Sequence, residues 1–190
     1  MSGDTPTGTS TLSNSAARLL LVPLAVGSAV AVTLGVYGSV HSPTGVAVNV
    51  AGFSGPLAAK AWLTTGAAVF ALVQVVSSLA MYGRIPGMHA SAWVAAAHRW
   101  SGRVAFLLAV PVAVHCLYAV GLQTFSPRVL VHSLLGCLFF GAFVVKMLRL
   151  RRRGLPGWVL PVLGGVVFTA LVGLWWTSSL WFFTTFGVEF

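Results

Sequence analysis

Apolar residues fill five long stretches of this chain, at about 19–40, 57–81, 99–121, 129–148 and 158–183, with short polar connectors between them. Each stretch is long enough, at a rise of about 1.5 Å per residue, to cross a hydrocarbon core of about 30 Å. In hydrocarbon every backbone N–H and C=O must be paired within its own segment, so the pattern predicts five helices rather than an open sheet. Gly and Pro mark the connectors: Ser42-Pro43, Gly55-Pro56, Ile85-Pro86-Gly87, Ser126-Pro127 and Gly154-Leu155-Pro156-Gly157. Residues 1–17, rich in Ser, Thr and Gly, read as a mobile, disordered cytoplasmic tail. A cleaved signal sequence is the rival reading of 19–40. The long polar tail before it, its length and the spans that follow favour an uncleaved anchor.

Composition agrees with lipid as the solvent. Of 190 residues, 57% are hydrophobic and 7% charged, too few polar groups to coat a soluble domain. The only acidic residues, Asp4 and Glu189, lie at the chain ends. That excludes an embedded carboxylate proton relay, a paired-carboxylate hydrolase and a carboxylate cage for calcium or magnesium. The formal charge of +9 sits mostly at the ends of the apolar runs, where topology accounts for it, and nucleic acid is not an expected partner. Cys116 and Cys137 fall within spans and read as small buried residues; no Cys-x-x-Cys-His segment for covalent haem attachment is present.

The basic residues also predict orientation. With the N-terminus inside, Arg18, Arg84, Arg99, Arg103, Lys146, Arg149, Arg151, Arg152 and Arg153 are cytoplasmic and only Lys60 and Arg128 lie outside. The expected fold is an all-α integral membrane bundle of five transmembrane helices in the plasma membrane, N-terminus cytoplasmic and C-terminus extracytoplasmic. Trp175, Trp176, Trp181, Phe182, Phe183 and Phe186 then form an interfacial aromatic belt at the outer end of the last span.

With no embedded carboxylate, the histidines are nearly the whole stock of functional polar groups: His41, His89, His98, His115 and His132. His115 lies six residues before Gly121, roughly 9 Å below the outer surface, and His132 four residues after Arg128, roughly 6 Å below it. Two neutral imidazoles at one depth on consecutive helices are the means by which helical bundles hold a b-type haem. Gly136, one turn after His132, would let a flat ring approach. Arg128 and Lys60 stand where propionates could reach them, and Pro111 is placed to kink the third span near His115. The alternative is that these histidines only hydrogen-bond between helices. His98, about 25 Å from His115 along the span, cannot serve the same haem. An inner ligand set would need His89 or a methionine such as Met81, Met88 or Met147, and a second, inner haem is not expected. His41 is a substitute outer ligand or a solvated residue.

Two H-x-x-x-G motifs, His98-Arg99-Trp100-Ser101-Gly102 and His132-Ser133-Leu134-Leu135-Gly136, stand 34 residues apart. Over residues of about 80–150 the chain resembles the transmembrane di-histidine cytochrome b families that include ascorbate-dependent cytochromes and ferric reductases. The resemblance implies a bundle holding two b haems through four histidines and passing electrons across the membrane. Spans two and five contain no histidine, so that full set is absent, and no nucleotide-binding domain accompanies it. In size and composition the chain is also similar to small actinobacterial membrane proteins.

The expected function is therefore that of a membrane-embedded haem b electron-transfer protein, a candidate cytochrome b-type oxidoreductase subunit. One outer haem on His115 and His132 would exchange electrons between membrane quinol and an outer-face redox protein or larger respiratory complex. The competing function is a non-catalytic accessory subunit packing through small-residue faces such as Gly164-Gly165 and Ala67-Ala68. A small-solute transporter fits less well, because five spans do not divide into two equal repeats.

Overall fold

The computed structural model describes residues 9–47, 49, 52–150 and 156–190, with side chains from Leu19 onward. Five helices account for most of them: α1 Thr9–Val40, α2 Pro56–Met81, α3 Ala92–Val120, α4 Pro127–Leu150 and α5 Val159–Phe186. All five are long and apolar enough to cross a membrane. Large apolar side chains such as Leu21, Val32, Leu72, Leu107 and Leu134 are more than half exposed on the bundle's outside, as a lipid-facing surface requires. The protein is thus an all-helical, multi-pass membrane protein.

The local sequence sets the helix ends. Pro56 opens α2 after an extended Gly55, and Pro127 opens α4, each using a position whose N–H has no intrahelical partner. Ser91 caps α3, its hydroxyl accepting from Val94 N–H at 3.4 Å, so that helix starts at Ala92 rather than at 99. His98 therefore lies inside α3 instead of at its edge. α1 is already helical from Thr9, so part of the segment expected as a mobile tail is regular; residues 1–8 and the expected cytoplasmic cluster Arg151, Arg152 and Arg153 lie outside the described residues.

Two helices change register near one end of the bundle. The last turn of α3, Cys116–Val120, and the segment Trp176–Leu180 of α5 widen into π-helix. Gly121 N–H reaches back to Cys116 C=O at 2.8 Å, an i→i+5 bond, and the chain then turns at Gly121 with φ 73°. Such π-bulges are common at functional sites.

The helices pack in a ring in the order α1, α4, α5, α2, α3. Small residues permit the tightest approach, between α1 and α4: a Cβ on Gly141 would lie 2.6 Å from the Gly27 carbonyl oxygen. α5 and α2 are joined by the buried Ser179 hydroxyl, which donates to Ala61 C=O at 2.9 Å, and by Trp175 Nε1–H to Thr65 Oγ1 at 3.1 Å. α3 meets α1 at one end, where Leu122 N–H donates to Gly38 C=O at 2.6 Å and Thr44 N–H to Tyr118 C=O at 3.2 Å. That end, which also carries Trp62, Trp175, Trp176 and Trp181, is called the aromatic end. The opposite end, with Arg84, Arg99, Arg103, Lys146 and Arg149, is the basic end.

Candidate functional site

Inside the ring, in its aromatic half, lies a cavity of about 230 Å³ to which every helix contributes. Its walls are almost wholly apolar: Leu34 from α1, Ala67 from α2, Val112 and Leu117 from α3, Leu171 and Leu174 from α5. Phe139 and Phe140 of α4 form its floor, and Phe106 of α3 stacks on Phe143 below them with ring centroids 4.1 Å apart. Gly121, Leu122, Gln123 and Phe125 cover it from above. Among so few polar lining groups, His132 stands out as the imidazole.

The orientation of that imidazole is fixed by α5. His132 Nδ1 is 2.9 Å from Thr177 Oγ1. The Thr177 hydroxyl hydrogen points to Gly173 C=O, 2.7 Å away and one turn back along its own helix. The hydroxyl therefore accepts, Nδ1 carries the proton, and Nε2 keeps its lone pair. A metal-binding histidine is held in the same way, by a hydrogen bond from its other ring nitrogen. Gly136, one turn along α4 on the same face, also lines the cavity, and a Cβ placed there would meet nothing within 4 Å. The pairing of these two residues read from the sequence is present.

The other candidates are placed differently. His115 is at the cavity's depth but is not among the residues that line it; Val112, Ala113, Cys116 and Leu117 present that wall of α3. The rotation of α3 follows from its packing on α2, where Leu108 fills the space above Gly66 and the Gln74 side chain lies across Gly102. Of the two histidines expected to face each other, His132 lines the cavity and His115 does not. Arg128 does not line the cavity either. Its Nη1–H donates to Thr177 C=O at 2.6 Å, a carbonyl in the π segment, and its guanidinium covers the Trp181 ring at 4.0 Å. Lys60 lies within electrostatic reach of His115, Cys116 and His132. His41 is stacked between Tyr37 and Tyr118 at 4.8 and 5.3 Å on the exposed aromatic end.

His98 repeats the His132 arrangement at the basic end. Its Nδ1 is 2.9 Å from Ser77 Oγ, and the Ser77 hydroxyl donates to Val73 C=O at 2.6 Å, again one turn back. Gln74 Nε2–H holds the His98 carbonyl and also donates to Ser101 Oγ at 2.9 Å. The glycine of this motif, Gly102, makes room for Gln74 and not for a ligand. The two H-x-x-x-G motifs thus share the histidine's anchoring but not the glycine's use.

Ser77 and Thr177 were not singled out in the sequence. The signal available was that a hydroxyl in hydrocarbon must find a partner, which makes each Ser or Thr within a span a candidate anchor for a histidine on the next helix. Among the described residues no group of three His, Cys, Asp or Glu side chains comes together as a bare-metal site. A haem brings its own equatorial nitrogens and needs only axial ligands from the protein.

No curated protein and no solved structure is significantly similar to the chain. A family model does match residues 20–190, which takes in nearly the whole bundle, and the chain therefore belongs to that family, a family of unknown function (DUF6529).

Proposed function

We propose that the protein is a membrane-embedded haem b electron-transfer protein in which His132 is the iron ligand. One observation carries this reading: an imidazole with Nδ1–H held by Thr177 and Nε2 unengaged lines an apolar cavity beside a glycine whose missing side chain leaves open space. Apolar walls suit a porphyrin face, and Gly136 gives a flat ring room against α4. Lys60 is the nearby cation for a propionate; Arg128, held by Thr177 and Trp181, serves α5 instead. A bound haem would supply one-electron chemistry; the chain holds it, excludes water and fixes the imidazole's tautomer. His115 is not a lining residue, and this reading does not call on it to retain the haem.

In this reading the N-terminus is cytoplasmic, the basic end faces the cytoplasm and the cavity faces the outer side of the plasma membrane, as the distribution of Arg and Lys supports. Electrons would pass between membrane quinol and an outer-face redox partner.

The test is an optical spectrum of protein purified from haem-replete cells, with dithionite. A reduced α band that is lost in His132→Ala and kept in His115→Ala is expected. A colourless protein, or a band unchanged in His132→Ala, would overturn the proposal.

A further inference from the structure

At the aromatic end, α4 and α5 also leave an open groove of about 490 Å³ between them, which shares no residue with the His132 cavity. Arg128 and Val131 of α4 form one wall, and Trp176, Leu180, Trp181 and Thr184 of α5 form the other. Arg128 is the charged group of this groove, and it is fixed in place. Its Nη1–H donates to Thr177 C=O at 2.6 Å, and its guanidinium carbon lies 4.0 Å from the centre of the Trp181 ring. That arrangement uses one of the five N–H donors of a guanidinium. Among the described residues Arg128 makes no ion pair, and the indole N–H groups of Trp176 and Trp181 donate to nothing. None of the spans supplies a carboxylate. A fixed cation with donors to spare, in an open groove, is complementary to an anion from outside the chain.

The surroundings narrow that anion. Tryptophans collect at the level of the lipid head groups, so Trp176 and Trp181 set the groove at the depth of lipid phosphates. From Arg128 inward along α4, Val131, Leu134 and Leu138 share one helical face and are 46%, 55% and 47% exposed. They form an apolar track for an acyl chain, which a free phosphate would leave empty. Thr184 adds a second condition. Its hydroxyl donates to Leu180 C=O at 2.9 Å and to Trp181 C=O at 3.0 Å, so toward the groove its oxygen can only accept. The matching head group carries a phosphodiester anion for Arg128 and a hydroxyl to donate to Thr184. A choline head group brings a second positive charge beside Arg128 and has no O–H.

We propose that the groove between α4 and α5 binds an anionic phospholipid with a hydroxylated head group, of the phosphatidylglycerol type, through Arg128 and Thr184. The site goes beyond the electron-transfer reading and stands or falls without the haem.

Native mass spectrometry of the full chain released from detergent micelles, titrated with defined lipids, reads the affinity for the first lipid bound. Wild-type protein should take phosphatidylglycerol roughly tenfold or more tightly than phosphatidylcholine, the difference a charge-assisted hydrogen bond makes. It should prefer phosphatidylglycerol about three- to tenfold over phosphatidylmethanol, which keeps the charge and lacks the hydroxyl. These comparisons need no variant to fold. Arg128→Gln should erase the first preference. Thr184→Val, on an exposed residue whose hydroxyl bonds only to its own helix, should erase the second and spare the first. Glycerophosphoglycerol, the same head group without acyl chains, should not displace the lipid. Equal binding of phosphatidylglycerol and either other lipid, displacement by glycerophosphoglycerol, or unchanged preferences in Arg128→Gln or Thr184→Val would overturn the proposal.

Discussion

His132 Nδ1 and Thr177 Oγ1 stand 2.9 Å apart, and the threonine's own hydroxyl hydrogen is committed to Gly173 C=O. One side chain on α5 thereby decides which nitrogen of an imidazole on α4 is free. Thr177→Val keeps the shape and removes the acceptor, stranding an N–H in an apolar setting at a cost of about 1–3 kcal/mol. Haem affinity should fall by roughly 10- to 100-fold, the usual loss when a ligating histidine's outer partner is removed, while Thr177→Ser should retain it. Thermal unfolding in detergent and haem retention under imidazole competition measure the two effects. A Thr177→Val protein identical to wild type in both would show that the hydrogen bond orients nothing.

Gly136 gives a cleaner separation of site from scaffold. A side chain there meets nothing within 4 Å. Gly136→Ala should hold or raise the melting temperature, since alanine is favoured over glycine in a helix by about 1 kcal/mol. Gly136→Phe should also fold, yet fill the space beside His132 and abolish the haem band. The ratio of haem to protein absorbance reports this directly; normal loading in Gly136→Phe would place the cofactor elsewhere.

Gly141, one turn and a half further along α4, should behave in the opposite way. Its Cβ would lie 2.6 Å from Gly27 C=O and 2.9 Å from Ala31 Cβ, so α1 must move to admit any side chain. Gly141→Leu is expected to destabilise the bundle by about 1–3 kcal/mol, the usual cost of overpacking. Comparing melting curves of Gly141→Leu and Gly136→Leu tests this, since equal curves would contradict the close α1–α4 contact.

The proposed orientation has its own check. A reporter that is active only outside the cytoplasm should be active when fused after Phe190 and silent when inserted at Gly87 between α2 and α3. The reverse pattern would turn the molecule over, and with it the assignment of the His132 cavity to the outer side.

The pairing of His132 with Gly136 was legible in the chain because residues four apart share a helical face whatever the helix packs against. Which of His115 and His132 lines the cavity was not. Their matching depth follows from counting residues at about 1.5 Å each, but whether two side chains face each other depends on rotation about each axis. For α3 that rotation is set by Leu108 above Gly66 and Gln74 across Gly102, contacts with another helix.

The sequence by itself determined five spanning helices, because in lipid an apolar run of this length has almost no alternative to a helix. It also determined the absence of embedded carboxylates and the histidines' depths, which are properties of composition and of one dimension. Only the tertiary structure decided the ring order α1, α4, α5, α2, α3, the hydroxyls that capture His98 and His132, and the wall of α3 that meets the cavity. Those depend on how helices rotate and close on one another, which short-range packing between residues distant in the chain controls.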